Sequence, residues 1–183
     1  MRMFYALLPD VLTRERLSMA TARLEIASHG HLVTSARFHI TLAFVGDVPD
    51  GDVHTFRDMG ALLGLRRCAI ELDSFEYWRA AQAIVLAARN NPTELAEQTH
   101  VLREAVAARG HPRRDDKPWR AHVTLARKVA QAPVLPAMSS VLWVSHSFTL
   151  MRSERGGNES VYTVVDSWPL LDNAGRGAKI SQV

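Results

Sequence analysis

Two short stretches of the sequence repeat one polar pattern on an apolar background. Residues 39–43 read His-Ile-Thr-Leu-Ala, and residues 122–126 read His-Val-Thr-Leu-Ala, 83 positions further along the chain. Alternate residues of an extended strand share a face, so the histidine and threonine of each copy lie together on one side. One such pair is typical of a strand with a solvated face. Two matching copies indicate a common chemical purpose.

Paired histidines suit displacement at phosphorus. The nucleophile enters opposite the leaving oxygen, so one proton acceptor and one proton donor are needed on opposite sides of the phosphate. Imidazole serves in either role, because its pKa is about 6.5. If a two-fold axis relates the strands, His39 and His122 face each other across a groove. Thr41 and Thr124 then donate hydrogen bonds to the non-bridging oxygens.

This scheme requires neither a metal nor a cofactor, and we expect none. A zinc site needs three or four converging ligands, whereas each repeat supplies one histidine. A separate His-x-His pair, His29 and His31, leaves a metal at that position as an alternative. The sequence contains no G-x-S-x-G, P-loop or G-x-G-x-x-G motif, so a nucleophile elbow and the common nucleotide-binding loops have no support.

The composition is that of an ordinary globular protein. The chain has 183 residues, of which 47 % are hydrophobic and 22 % charged, with a net charge of +3 that is compatible with an anionic ligand. The lone cysteine, Cys68, excludes an internal disulfide and favours a reducing compartment. No leader is recognisable and no apolar stretch approaches the roughly 20 residues of a membrane span. We therefore expect a cytoplasmic protein without membrane association.

Hydrophobic periodicity and turn residues predict strands and helices in irregular alternation, which favours an α+β fold. The strongest helix should begin at Pro92 with Asn91 as its cap and end at Gly110. A hairpin is expected to join the last two strands. The predicted strands cover 3–8, part of 31–45, 68–77, 83–88, 119–127, 141–152 and 160–165, and the other predicted helices cover 11–28 and 50–63.

The two motifs and their surroundings resemble the 2H phosphoesterase superfamily, which has paired H-x-[ST]-h motifs in which h is hydrophobic. Within it, the chain is similar to the RNA 2′,3′-cyclic phosphodiesterases, also called 2′-5′ RNA ligases. Residues 37–48, RFHITLAFVGDV, follow the pattern H-x-T-L-x-F-x-G, and residues 118–127, PWRAHVTLAR, carry the second motif. The likeness also includes the opening strand and the closing hairpin, and it covers roughly residues 2–171.

The resemblance implies two pseudo-symmetric lobes, each an antiparallel sheet with helices on its outer face, and an active-site groove between the sheets. Residues 1–171 would form this single bilobal domain and residues 172–183 a frayed tail. A monomer is expected.

The resemblance also implies metal-independent hydrolysis of 2′,3′-cyclic phosphate ends, on RNA or on nucleotides, to 2′-phosphates, together with reversible 2′-5′ RNA ligation. It assigns His39 as the proton donor and His122 as the proton acceptor. It also implies that Thr41, Thr124 and Arg127 bind the phosphate and that Phe44 contacts the base. Strict alternation places Phe44 and Arg127 on the face opposite the histidines. A twist or bulge must therefore precede them, or their site roles are incorrect and Phe44 belongs to the core.

Two other functions remain open. The same fold is compatible with action on a small cyclic nucleotide, or with binding of RNA or nucleotides without catalysis. Arg37, Arg120 and the basic residues of 111–118 are candidates for following an RNA backbone, although a solvated surface explains them equally well. Trp78 and Trp119 are candidates for base stacking, with a core position as the alternative for Trp119.

Overall fold

Ten strands and three helices occur in the residues that the computed structural model describes, which are 1–26, 30–111, 118–137, 139–156 and 159–172. No helix within these ranges is long and apolar enough to cross a membrane. The strands are β1 Arg2–Leu7, β2 His31–Leu32, β3 Ile40–Asp47, β4 Ala69–Leu72, β5 Ser74–Trp78, β6 Ala83–Ala87, β7 His122–Arg127, β8 Val141–Val144, β9 Ser147–Gly156 and β10 Glu159–Pro169. The helices are α1 Val11–Ala22, α2 Val53–Leu62 and α3 Thr93–Ala107.

The main sheet is antiparallel and nearly symmetric about its centre. Its strand order is β10-β9-β1-β3-β7-β6-β5, with β2 beside β7. Strands β3 and β7 meet through one residue pair, Ile40 with Val123. Outward from this pair, β1 in one half corresponds to β6 in the other, and β9 corresponds to β5. The helices correspond as well, since α1 follows β1 and precedes β3 in the chain, and α3 follows β6 and precedes β7. The predicted α+β class with two antiparallel lobes is confirmed, and the two half-sheets join into one.

The helices cover one face of this sheet and leave the other face open. Alternate residues of β1, such as Tyr5, pack with Leu17 of α1, Phe56 of α2 and Leu102 of α3 in the main core. The Tyr5 hydroxyl donates to the Phe56 carbonyl at 2.5 Å, and burial raises the tyrosine pKa, so this donor stays neutral. The open face carries two small apolar clusters, one in each half: Phe4, Ala6 and Met151, and Ala83, Val85 and Ala87.

A second sheet forms where two predicted strands divide. The stretch 68–77 splits at Asp73 into β4 and β5, and the stretch 141–152 splits into β8 and β9. Strands β4 and β8 pair with each other, away from the main sheet. The Asp73 carboxylate accepts from the Arg89 amide at 2.9 Å, which fixes the change of direction. The breaks fall at polar residues, Asp73 in the first stretch and residues 145–146 in the second, which the strand predictions passed through.

Two helix boundaries differ from the predictions. Helix α1 ends at Ala22, well before residue 28, because the Leu24 amide donates to the Thr21 carbonyl and turns Leu24 into the core. Asn91 does not cap α3, which begins at Thr93 without a side-chain cap. The Asn91 side chain instead bonds the segment that precedes β7.

The predicted hairpin is confirmed by the pairing of β9 with β10. Its connecting residues 157 and 158 lie outside the described residues. So do residues 112–117 of the basic segment and residues 173–183 of the predicted tail.

Helix α2 packs on β10 with Gly60 facing the indole of Trp168. A Cβ atom at this position would lie 2.4 Å from the ring, closer than carbon atoms approach in folded proteins. The packing of α2 against Trp168 therefore requires a glycine at position 60, although glycine is a poor helix former.

We expect Gly60→Ala to lower the free energy of unfolding by up to about 2 kcal/mol, measured by urea denaturation. Overpacking costs about 1–3 kcal/mol, against which alanine gains roughly 1 kcal/mol in helix propensity. Gly51→Ala is the matched control, since no atom lies within 4 Å of its added Cβ. A Gly60→Ala protein at least as stable as the control would refute this packing.

Candidate active site

The four polar residues of the repeated motifs meet on the open face of the sheet. The antiparallel Ile40–Val123 pair lies at their centre. His39, Thr41, His122 and Thr124 all line one cavity of about 340 Å³. The structure therefore brings together two motifs that are separated in the chain by α2, by the three strands β4, β5 and β6, and by α3.

A bulge in β3 returns Phe44 to the groove. The pairing with β1 joins Ala6 to Thr41 and Tyr5 to Ala43, so Leu42 is skipped. Leu42 and Ala43 are then both buried, and the alternation restarts one residue late. Phe44 is 47 % exposed and lines the cavity. This is the position that the family resemblance implies, whereas strict alternation places Phe44 in the core.

The same bulge occurs in β7. The pairing with β6 joins Val85 to Thr124 and Ile84 to Ala126, so Leu125 is skipped. Leu125 and Ala126 are both buried, and Arg127 faces the cavity. Phe44 and Arg127 thus occupy corresponding positions of the two halves, one apolar and one cationic.

Each histidine is oriented by the backbone of its own strand. The His39 Nδ1 atom lies 2.7 Å from the Arg37 carbonyl, and the His122 Nδ1 atom lies 2.8 Å from the Arg120 carbonyl. A carbonyl only accepts, so Nδ1 of each ring carries the hydrogen. Nε2 of each neutral ring is left as a proton acceptor for a ligand in the groove.

Aromatic rings enclose His39. The Phe4 and Tyr162 ring centroids lie 5.1 and 5.2 Å from its own, and the Arg37 guanidinium lies 5.3 Å from the Tyr162 centroid. Burial, more than any other cause, lowers the pKa of His39 to about 4, and the charges of Arg127 and His122 lower it further against the Nδ1 hydrogen bond. His39 is therefore uncharged near neutrality in the free protein.

His122 has a different neighbourhood. Trp78 lies against it with ring centroids 4.4 Å apart, and the indole N–H donates to Glu76 at 2.9 Å. The other carboxylate oxygen of Glu76 pairs with Arg120 at 2.6 Å. Burial is the main cause that lowers the pKa of His122, and the charges of Arg127 and Arg120 lower it further, while the Nδ1 hydrogen bond and the Glu76 carboxylate raise it. In the described part of the chain, the charges that act on His39 are those of Arg127, His122 and Arg37, and each lowers its pKa.

The segment before β7 is fixed by three hydrogen bonds. Asn91 donates to the Trp119 carbonyl at 2.7 Å and accepts from the Ala121 amide at 2.9 Å. The Trp119 indole donates to the Thr41 carbonyl at 2.9 Å, so it ties the two motif strands together. Trp119 is half-buried against the core and also lines a second cavity beside the groove.

Glu76 and Tyr162 belong to neither motif and were not predicted from the sequence. Asn91 was predicted as the cap of α3, which it is not. Alternation within SFEYW does place Glu76 on the same face as Trp78, which was an available signal. Tyr162 gave none, because its contact with His39 depends on the sheet order. The side chain of Asn91 is also compatible with a cap, so only the fold distinguishes the two roles.

Positive charge surrounds the groove. Arg2, Arg37, Arg127 and Lys128 line it, and the described lining residues include no carboxylate. Hydroxyls of Ser153 and Ser160 lie at its edge. Such a lining favours an anionic ligand with several oxygen atoms.

In the described part of the chain, no three His, Cys, Asp or Glu side chains cluster as a metal site would require. His31 lines the groove, whereas its potential metal-binding partner His29 lies outside the described residues.

Comparison with known proteins agrees with this geometry. The family model described as the 2′-5′ RNA ligase superfamily matches residues 9–157. The RNA 2′,3′-cyclic phosphodiesterase of Thermus thermophilus is 27 % identical over 189 residues, covering 96 % of this chain and 93 % of that protein. The protein of the same name from Escherichia coli is 25 % identical over 170 residues, covering 92 % and 96 %.

The fold is also shared with a solved structure. The crystal structure of E. coli LigT complexed with 3′-AMP superposes with a TM-score of 0.83 at 24 % identity. The match covers 92 % of this chain and 97 % of that one.

We expect Arg127→Gln to raise the pKa of both histidines, because the guanidinium lowers each of them. A ¹H–¹³C NMR titration of the imidazole Cε1–H signals measures this directly, with His39→Asn and His122→Asn for assignment. In the unsubstituted protein His39 should titrate near pH 4 and His122 below 6.5. The control is Arg16→Gln on the exposed face of α1. Unchanged midpoints in Arg127→Gln would refute the electrostatic description.

Proposed function

Because the chain belongs to the 2′-5′ RNA ligase superfamily, we propose that it hydrolyses 2′,3′-cyclic phosphate ends of RNA or nucleotides to 2′-phosphates. The observation that carries this proposal is the convergence of two His-Thr pairs in one cationic groove, each histidine with Nε2 free of hydrogen. The relatives named RNA 2′,3′-cyclic phosphodiesterase support the same activity. The reaction proceeds through side chains and needs no metal.

The cyclic phosphate binds between the two motifs. The hydroxyls of Thr41 and Thr124 and the guanidinium of Arg127 contact its non-bridging oxygens, where negative charge increases in the transition state. Phe44, exposed at the edge of the groove, packs against the base. The anion also raises the pKa of both buried histidines, since its charge stabilises their protonated forms.

His122 acts as the proton acceptor and His39 as the proton donor. Nε2 of His122 removes a proton from water as the water oxygen forms a bond to phosphorus. The phosphorus–O3′ bond breaks, and Nε2 of protonated His39 gives its proton to O3′. The Glu76 carboxylate on the His122 side favours the imidazolium that forms there, against the charge of Arg120, with which it is paired.

An alcohol in place of water would give a 2′-5′ phosphodiester by the same proton transfers, which is the reversible ligation that we propose as a second outcome. A small cyclic nucleotide is also compatible with this groove. The assay should therefore include a small cyclic nucleotide as well as a cyclic-ended RNA. A module that only binds is disfavoured, because both histidines and both threonines are in place.

We also propose a single domain over residues 1–171, acting as a cytoplasmic monomer. Cys68 takes no part in the reaction. Burial raises the pKa of its thiol to about 11, which leaves it protonated and unreactive near neutrality.

Replacing either catalytic histidine should abolish most activity. With 2′,3′-cAMP or a cyclic-ended oligonucleotide in EDTA, we expect His39→Ala and His122→Ala each to lower kcat by about 10²–10⁴-fold, the usual contribution of a general acid or base. Chromatography of the 2′-phosphate product measures this. His54→Ala, on the exposed surface of α2, is the control. Full activity without His122, or activity lost in EDTA, would contradict the mechanism.

The pH dependence should reflect the lowered pKa values. We expect kcat/KM to be bell-shaped with both limbs below pH 6.5, because it reports the free protein, and kcat to have its optimum at higher pH. Glu76→Gln removes the charge that raises the pKa of His122, so the limb belonging to His122 should move to lower pH. Glu71→Gln, on exposed β4, should leave the profile unchanged. A flat profile between pH 5 and 9 would exclude paired acid–base catalysis.

A further inference from the structure

A second cavity opens from the groove on the side of His122. It has a volume of about 710 Å³, twice that of the groove, and shares Thr41, Phe44 and His122 with it. We propose that this cavity binds a second nucleoside, whose 5′-hydroxyl is the nucleophile in ligation and the leaving group when a 2′-5′ linkage is cleaved. This inference rests on the proposed function and assigns residues to one side of its reaction.

The walls of the cavity suit a nucleoside. The indoles of Trp78 and Trp119 line it, together with the aliphatic side chains of Leu42 and Val106. Flat aromatic surfaces stack with any base, which gives affinity without sequence preference. Arg79 and Arg103 add positive charge for the phosphate that would follow this nucleoside in a longer strand.

The direction of attack assigns the cavity to the incoming nucleoside. In-line displacement requires the nucleophile opposite O3′, and O3′ receives its proton from His39. The ribose that carries the cyclic phosphate therefore lies on the His39 side, near Phe4 and Tyr162. The nucleophile approaches from His122, where the cavity opens. A water molecule occupies only about 30 Å³, whereas a cavity of this size is in the range that holds organic ligands.

The step is balanced without any further reactant. The 5′-oxygen forms a bond to phosphorus and its proton passes to Nε2 of His122, while the phosphorus–O3′ bond breaks and O3′ takes the proton of His39. The products are a 2′-5′ phosphodiester and a free 3′-hydroxyl. In the reverse direction the 3′-hydroxyl attacks and His122 protonates the departing 5′-oxygen.

The test compares two esters that yield the same 2′,3′-cAMP, the dinucleoside A2′p5′A and adenosine 2′-(methyl phosphate). They differ in whether the leaving alcohol carries a nucleoside. We expect kcat/KM to be about ten- to a hundredfold higher for the dinucleoside, the fold-change that stacking of one base provides. Ala81→Phe places a ring in the cavity from an exposed lining residue and should reduce this preference towards one. Ala61→Phe, exposed on α2, should keep it.

Each other result decides against the inference. An equal kcat/KM for the two esters in the unsubstituted protein would show that the cavity contributes nothing. If Ala81→Phe lowers kcat/KM equally for both esters and for 2′,3′-cAMP, the cavity holds the nucleoside that carries the cyclic phosphate. Hydrolysis of 2′,3′-cAMP without cleavage of either ester overturns the second nucleoside site alone. No turnover of 2′,3′-cAMP or of a cyclic-ended oligonucleotide overturns the proposed function itself.

Discussion

The antiparallel pair of Ile40 with Val123 is the constraint on which the site depends. It is the one pair that joins β3 to β7, and it lies between the histidine and the threonine of both motifs. In an antiparallel register, neighbours of a paired residue face each other in reverse order, so Thr41 lies opposite His122 and His39 opposite Thr124. Two copies of one sequence thereby place an imidazole at each end of the proposed phosphate site. A parallel pairing would have put both histidines at the same end.

The motif pattern predicted His39, Thr41, His122 and Thr124 as one site, and periodicity predicted the α+β class. Strict alternation conflicted with a groove position for Phe44 and Arg127 and left a twist or bulge as one explanation. It did not locate the bulge after each threonine, because the skipped residues Leu42 and Leu125 are apolar and compatible with regular alternation. The bulge depends on the neighbouring strands β1 and β6, which contribute the register. The breaks at Asp73 and before β9 likewise depend on strand pairing, because β4 and β8 pair with each other away from the main sheet.

The repeated motifs are nearly identical, and the differences between the two histidines come from the strands that surround them. Tyr162 of β10 reaches His39, whereas Trp78 and Glu76 of β5 reach and influence His122. These strands are the opposite edges of the sheet, and neither is part of a motif. The sequence therefore predicts the two histidines as the reacting groups without distinguishing the acid from the base. The asymmetry continues in Phe44 and Arg127, which occupy equivalent positions with opposite chemistry.

In the proposed mechanism, the half-buried position of both histidines couples the proton transfers to binding of the substrate. Protonating a histidine with a pKa of about 4 at pH 6.5 costs about 3 kcal/mol, so His39 is a poor proton donor before the phosphate arrives. A unit negative charge about 4 Å away offsets roughly 4 kcal/mol at an effective dielectric constant of 20. The anion of the cyclic phosphate is thus sufficient to charge His39, and the acid that His39 then becomes is strong because its own environment disfavours the proton. In the proposed mechanism, the aromatic enclosure of His39 disfavours the proton that this ring donates. The surroundings of His122 carry both charges, since Glu76 favours the proton that this ring gains and Arg120 opposes it.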